Sequence, residues 1–151
     1  MPKTWTKSAK IGGKMGTALT RVLVVDDETN YARVMAIGLG VEGFDVESAP
    51  TAEMALDALA HQSFDLAIVD LMLPGTNGIQ LARLMRERHP NTVVVLMSAY
   101  DLSERQLVRA DCGAVAFLAK PFDLTELARF LRAKLSSSGV AGPFEFRGAA
   151  A

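Results

Sequence analysis

The sequence predicts an α/β fold: a doubly wound sheet of five parallel strands, each followed by a helix. Three observations predict it. Short apolar, β-branched runs recur at Val22–Val25, Leu66–Val69, Val93–Met97 and Ala114–Ala119, and runs of this length without polar alternation are strands buried on both faces. Segments of helix length, with apolar residues at helical spacing, separate these runs. Glycine, proline and capping residues mark the joints.

The first strand spans about Arg21–Asp26, and a helix follows from near Glu28 to Leu39, ended by Gly40 or Gly43. Strand two, about Asp45–Ala49, is short and polar, which suits the edge of a sheet. Thr51 caps a helix through Ala60, with Ala52, Ala55, Leu56 and Leu59 on one face. Strand three is Leu66–Asp70. Its loop holds Pro74-Gly75 and Asn77-Gly78, both strong turn signals, and leads into a helix over Ile79–Arg88 that Pro90 stops. Thr92–Ser98 is strand four. Ser103 and Gln106 are spaced as a capping box for a short helix that Gly113 terminates. Strand five is Ala114–Ala119. Asp123 and Glu126 open the last helix, whose Leu124, Leu127, Leu131 and Leu135 form one apolar stripe.

Alternation of strand and helix with right-handed crossovers favours the doubly wound arrangement but leaves the strand order open. The order 2-1-3-4-5 puts strand two at the edge and strands one and three side by side at the switch point. Asp26, Asp27 and Asp70 then become neighbours.

The chain has 151 residues, enough for one domain with a real core. Its 50 % apolar fraction excludes a disordered polymer, and 22 % charged residues suit a soluble surface. No apolar stretch approaches the roughly 20 residues of a membrane helix, and none resembles the apolar core of a signal peptide. A single cysteine, Cys112, makes no internal disulfide and fits a reducing, cytoplasmic setting. His61 and His89 fall at helix ends far apart in sequence and read as surface residues, because metal ligands come in clusters. Met35, Met54, Met72, Met85 and Met97 read as core filler or loop.

Charge is unevenly distributed. Lys3, Lys7, Lys10 and Lys14 stand in an N-terminal extension (1–19) without acids, read as a flexible basic leader, with Met15 as an alternative start. The organised domain covers 20–135. Residues 136–151, rich in Ser, Gly and Ala, read as a flexible tail in which Phe144 and Phe146 are the residues able to dock. The body of the chain is mildly acidic, which gives no electrostatic case for direct nucleic-acid binding.

Four of the strands end in residues that a core strand would not carry: Asp26-Asp27, Asp70, Ser98 and Lys120-Pro121. In open parallel sheets, ligands bind beyond the carboxyl ends of the strands. Three carboxylates at such a crevice call for a hard cation, and an ammonium with a hydroxyl calls for an anion rich in oxygen. Together they describe a magnesium-assisted phosphoryl site.

Val25-Asp26-Asp27-Glu28, the segment Asp70–Gly78, Ser98-Ala99 and Lys120-Pro121-Phe122, in this order and at strand ends, resemble the receiver domains of two-component response regulators. The resemblance spans about residues 20–135. It implies a flavodoxin-like (βα)5 fold with the 2-1-3-4-5 order of the chemotaxis receiver. It also implies that Asp70 is the phosphoacceptor, that Asp26, Asp27, Asp70 and the Met72 backbone carbonyl bind Mg2+, and that Lys120 and Ser98 contact phosphoryl oxygens. By the same resemblance, Ala99 would leave room for the donor and the Lys120-Pro121 bond would be cis. Phe117 takes the aromatic position that follows Ser98, entering space that opens when the hydroxyl moves toward the phosphate. The expected phosphoryl source is a histidine kinase or histidine phosphotransfer protein, and the reader is a downstream protein that binds the face of helix four, strand five and helix five.

Such a protein is a switch, catalysing only its own phosphorylation and dephosphorylation. The alternative is a phosphorylation-independent interaction module on the same fold; the intact Asp26, Asp27, Asp70, Ser98 and Lys120 argue against it. A haloacid-dehalogenase-type phosphatase is disfavoured, since Glu28 stands two positions after Asp26 where those enzymes carry a second aspartate. A flavin-binding flavodoxin is disfavoured too, because the first loop is acidic where a phosphate cradle needs Ser, Thr and Gly. Val115 and Ala116 replace the acidic residues that precede the strand-five aromatic in many receivers, which speaks against a charge-paired dimer through that face. No output domain follows in this chain, so it reads as a stand-alone receiver or one excised from a longer protein.

Overall fold

Parallel pairing of the apolar runs sets the architecture. The computed structural model describes residues 6–7, 19–100, 103–136 and 145–147. In chain order the elements are β1 (Thr6–Lys7), β2 (Arg21–Val25), α1 (Thr29–Val41), β3 (Asp45–Ala49), α2 (Ala52–His61), β4 (Leu66–Asp70), α3 (Gly78–Arg88), β5 (Val93–Ser98), α4 (Glu104–Ala110), β6 (Ala116–Ala119), α5 (Leu124–Ser136) and β7 (Glu145–Arg147). They form one sheet in the order β1-β3-β2-β4-β5-β6-β7. Its five central strands, β3-β2-β4-β5-β6, are parallel and reproduce the order 2-1-3-4-5.

Alternate residues of each central strand face opposite layers, as the period of two requires. Leu23, Val25, Ala67, Val69 and Phe117 pack with α2, α3 and Leu107 of α4. Val22, Val24, Ile68, Met97 and Leu118 pack with α1 and α5. Among the described residues, no helix is long and apolar enough to cross a membrane.

The helix ends follow the local chemistry. Thr51 Oγ1 accepts from the Met54 N–H at 3.1 Å, and Asn77 Oδ1 accepts from Gln80 N–H at 2.9 Å. Ser103 and Gln106 form a reciprocal capping box, with bonds of 3.2 and 3.1 Å. Gly43, at φ +98°, ends α1. Its N–H donates to Gly40 and that of Phe44 to Leu39, closing the Schellman pair, so Gly40 lies within the helix.

Both extensions, read from the sequence as flexible, contribute a short strand. β1 pairs antiparallel with β3, and β7 pairs parallel with β6. Phe144 lies outside the described residues. Strand two is therefore not outermost, and its acids are not solvated: Glu47 is fully buried and Asp45 nearly so. The reason is Arg21. Its guanidinium reaches Glu47 Oε1 at 2.9 Å and Asp45 Oδ2 at 3.5 Å, and it also bonds Gln62 and the Ser63 carbonyl. The Phe64 ring lies 4.9 Å beneath it. Polarity in strand two marks a buried ion cluster, not an edge.

Removing one partner of a buried pair leaves an uncompensated charge, at a cost of about 3–5 kcal/mol. Gln62 retains a bond of 3.3 Å to Glu47, which places the expected effect at the lower limit. Arg21→Met should therefore destabilise the fold by about 3 kcal/mol, measured by urea unfolding. A loss under about 1 kcal/mol would mean that the cluster is worth no more than an exposed ion pair.

Candidate functional site

Because β2, β4, β5 and β6 run parallel, their carboxyl ends share one rim, and the polar residues that end the apolar runs converge there. Asp26 follows β2 and keeps its N–H on the Ala49 carbonyl at 3.1 Å. Asp70 ends β4 in register with Met97, and the next N–H, Leu71, bonds the Met97 carbonyl. Lys120 follows β6, its N–H donating to the Ser98 carbonyl at 2.8 Å. Each backbone is thus held by the neighbouring strand up to the residue that carries the chemistry.

Oxygens of Asp26, Asp27 and Asp70 all lie within 4.8 Å of one another. Asp26 and Asp70 are buried, whereas Asp27 is exposed. The Lys120 ammonium sits between the two buried carboxylates, donating to Asp26 Oδ2 at 2.7 Å and Asp70 Oδ2 at 2.8 Å. Their second oxygens accept backbone N–H groups, Asp26 Oδ1 from Glu28 and Asp70 Oδ1 from Met72, both at 2.9 Å. Burial raises the Asp26 carboxyl above its usual range despite the lysine and the Glu28 N–H. For Lys120, burial alone would lower the value, but the hydrogen bonds to Asp26 and Asp70 outweigh it and hold the ammonium above the ordinary lysine value. The Lys120-Pro121 peptide is cis, as expected.

Ser98 is fully buried, and its Oγ accepts the Tyr100 N–H at 3.0 Å. Phe117, in register with Leu96 of β5, is 1 % exposed. Its ring is already inside, so no vacated space is needed for it to become buried. Met72 is exposed, and its N–H is bound to Asp70.

Two features of the site were not foreseen from the sequence: the placement of Tyr31, and the tight packing at Gly78, which entered only as a turn residue of the Asp70–Gly78 segment. Tyr31 packs its ring 4.3 Å from the Lys120 ammonium and meets Phe122 edge-on at 6.2 Å. Burial raises its phenol above the ordinary value, opposed by Lys120 and reinforced by the nearby acids. The available signal was its position one helical turn after Asp27, on the face that looks back over the strand end. The packing at Gly78 is the other. A Cβ there would stand 2.4 Å from the Asp70 carbonyl oxygen and 2.8 Å from Leu71 Cα, so only glycine lets α3 start this close to the acidic strand end.

A doubly wound sheet that gathers three aspartates, a lysine and a buried serine at its carboxyl rim defines a receiver-type α/β domain. Residues 22–132 match the family model of the response regulator receiver domain, and the chain belongs to that family. Among curated relatives, the transcriptional regulatory protein YkoG of Bacillus subtilis is 35 % identical over 118 residues, 78 % of this chain and 52 % of the relative. A CheY-like receiver domain from Methanospirillum hungatei superposes with TM-score 0.74 at 29 % identity, covering 80 % of this chain and 96 % of the other. The response regulator TrrA of Thermotoga maritima, solved in complex with Mg2+ and BeF, gives TM-score 0.68 at 29 % identity, covering 76 % and 98 %. The chain spans about half the length of the curated relatives it matches, or less.

Asp27 is the one acid of the three that Lys120 does not contact. Two like charges about 5 Å apart in water repel by about 1 kcal/mol. Asp27→Ala should therefore raise metal-free stability by up to about 1 kcal/mol and remove any stabilisation by added Mg2+. Thermal melts with and without Mg2+ check both; a lower metal-free melting temperature would show that Asp27 is a structural acceptor.

Proposed function

We propose that this domain is a phosphorylation switch in which Asp70 accepts a phosphoryl group from a histidine kinase or histidine phosphotransfer protein, in the cytoplasm. The observation that carries the reading is the ammonium of Lys120 bridging Asp26 and Asp70 beside the Asp27 carboxylate. A purely structural ion pair would not need the third, exposed acid.

Hard oxygen donors fit Mg2+ better than a softer metal. Asp26, Asp27, Asp70 and the Met72 backbone carbonyl would hold it, and when bound it supplies positive charge against the acids and the phosphoryl oxygens. The residues of the chain do the rest. An Asp70 carboxylate oxygen attacks phosphorus as the phosphorus–nitrogen bond of the donor breaks, its electron pair leaving with the imidazole. Lys120 exchanges one of its carboxylate partners for a phosphoryl oxygen and remains charged, as its raised pKa favours. Ser98, at the end of β5, supplies a hydroxyl to another oxygen. The Met72 N–H keeps the acceptor carboxylate oriented, so positioning and charge stabilisation carry the reaction. The downstream reader is a protein that distinguishes the two states at α4, β6 and α5.

Incubation with acetyl phosphate and Mg2+ should add one phosphoryl group, seen as a single mass increment, and Asp70→Asn should abolish it. Labelling that persists in this variant would move the acceptor to another residue. Complete failure of the wild-type chain to label, with partner binding intact, would favour the phosphorylation-independent module.

A further inference from the structure

The outer edge of β6 is the open side of the parallel sheet nearest to Phe117, and β7 covers it. The register pairs Ala116 with Glu145, Phe117 with Phe146 and Leu118 with Arg147, and the Glu145 N–H donates to the Val115 carbonyl at 3.0 Å. Two side chains fasten the strand to α5. Glu145 Oε1 lies 2.6 Å from the Lys134 ammonium, and the Arg147 guanidinium stacks 4.5 Å over the Phe130 ring. Arg147 also forms one wall of a cavity of about 570 Å3 bounded by Leu118, Pro121, Phe122, Leu127 and Phe130. The same strand therefore closes a sheet edge and an apolar groove that reaches the turn after Lys120.

We propose that Glu145–Arg147 is an intramolecular ligand of the β6–α5 edge, closing it in the resting protein and displaced when Asp70 is phosphorylated. The displacement rests on the phosphoacceptor reading above; the closure does not. β7 has only three residues, and a strand this short, held by a brief ladder and partly exposed ion pairs, belongs to the low-stability part of a fold. β6 leads directly into the residue whose partners phosphorylation would change. Lys120 directly follows it and gives up a carboxylate, and Phe117 is the register neighbour of the middle residue of β7. Once free, the edge accepts an extended segment of the same chemistry, with an acid toward Lys134 and a cation over Phe130. Unpaired N–H and C=O groups supply affinity, and the two side-chain positions supply selectivity.

Hydrogen exchange of the full chain, read by mass spectrometry over residues 114–119, tests this. Glu145→Pro removes the N–H that bonds Val115 and should speed exchange there at least about tenfold. Lys134→Glu should do the same, and pairing it with Glu145→Lys should restore protection, which separates a lost contact from a misfolded helix. Beryllofluoride with Mg2+ should speed exchange over 114–119 in the wild-type chain and have no further effect there in Glu145→Pro. Wild-type protection in Glu145→Pro would overturn the closure. Beryllofluoride that alters residues 70–73 but leaves 114–119 protected would overturn the displacement. If beryllofluoride alters neither segment while Glu145→Pro still opens the edge, the closure stands and the phosphoacceptor reading fails, and the displacement with it.

Discussion

The Lys120 ammonium, wedged between Asp26 and Asp70, ties together the ends of β2, β4 and β6, and much else in the domain is arranged around it. Two buried carboxylates face each other at that rim. Without a cation between them they would lose hydration and repel at the same time, by about 4 kcal/mol for a separation near 4 Å at an effective dielectric of 20. The lysine offsets the repulsion but is itself largely buried, so it needs both acids, the Tyr31 ring at 4.3 Å and a backbone fixed through the Ser98 carbonyl. The result is a centre with one uncompensated negative charge, whose cation is already placed to pair with an incoming anion. Asp27, outside this pair, keeps the rim net negative and open to water.

Arg21 solves the corresponding problem at the opposite end of the sheet, where Glu47, Asp45, Gln62 and the Ser63 carbonyl meet its guanidinium. The two clusters have a joint consequence for strand register. A one-residue slip of a strand reverses which side chains face each layer. The apolar stretch of a strand such as β4, fully buried through Val69, resists such a slip weakly, because both faces accept valine and isoleucine. Buried charges at the two ends resist it strongly, since a slip would strand a carboxylate in hydrocarbon. The apolar middle supplies the stability and the polar ends supply the alignment.

Much of this was legible in the sequence, because apolar runs, glycines and caps report local geometry. The Asp45–Ala49 and Leu66–Asp70 strands have the read boundaries, and Thr51, Ser103 and Gln106 cap as their spacing implies. The site residues were legible for the same reason: each interrupts an apolar pattern. What escaped were features set by partners distant in sequence. Asp45 and Glu47 look like an exposed edge until Arg21 and Gln62 are placed beside them. Thr6–Lys7 and Glu145–Arg147 are too short to carry a periodicity, and only an open neighbouring edge makes them strands. Tyr31 is an ordinary helix residue until Lys120, far along the chain, arrives under its ring.

The structure also changes how the energy of a switch at this site is divided. Ring burial contributes little, because Phe117 is already only 1 % exposed. Ser98 is not idle either: its Oγ already accepts the Tyr100 N–H. Turning it toward a phosphoryl oxygen gains a charge-assisted bond of about 1.5–3 kcal/mol and gives up one of about 0.5–1.5 kcal/mol. The net, near 1–1.5 kcal/mol, changes a population by roughly tenfold, whereas full reversal of a 1:99 equilibrium needs about 5.5 kcal/mol. The remainder has to come from Lys120 leaving one acid for the phosphate, and from whatever occupies the outer edge of β6. On the proposed displacement, a strand of the chain's own on that edge, fastened at Lys134 and Phe130, would act on the same equilibrium as a phosphoryl group at Asp70. It would do so with the opposite sign, so that its removal by a competing segment would add to the contribution of Ser98.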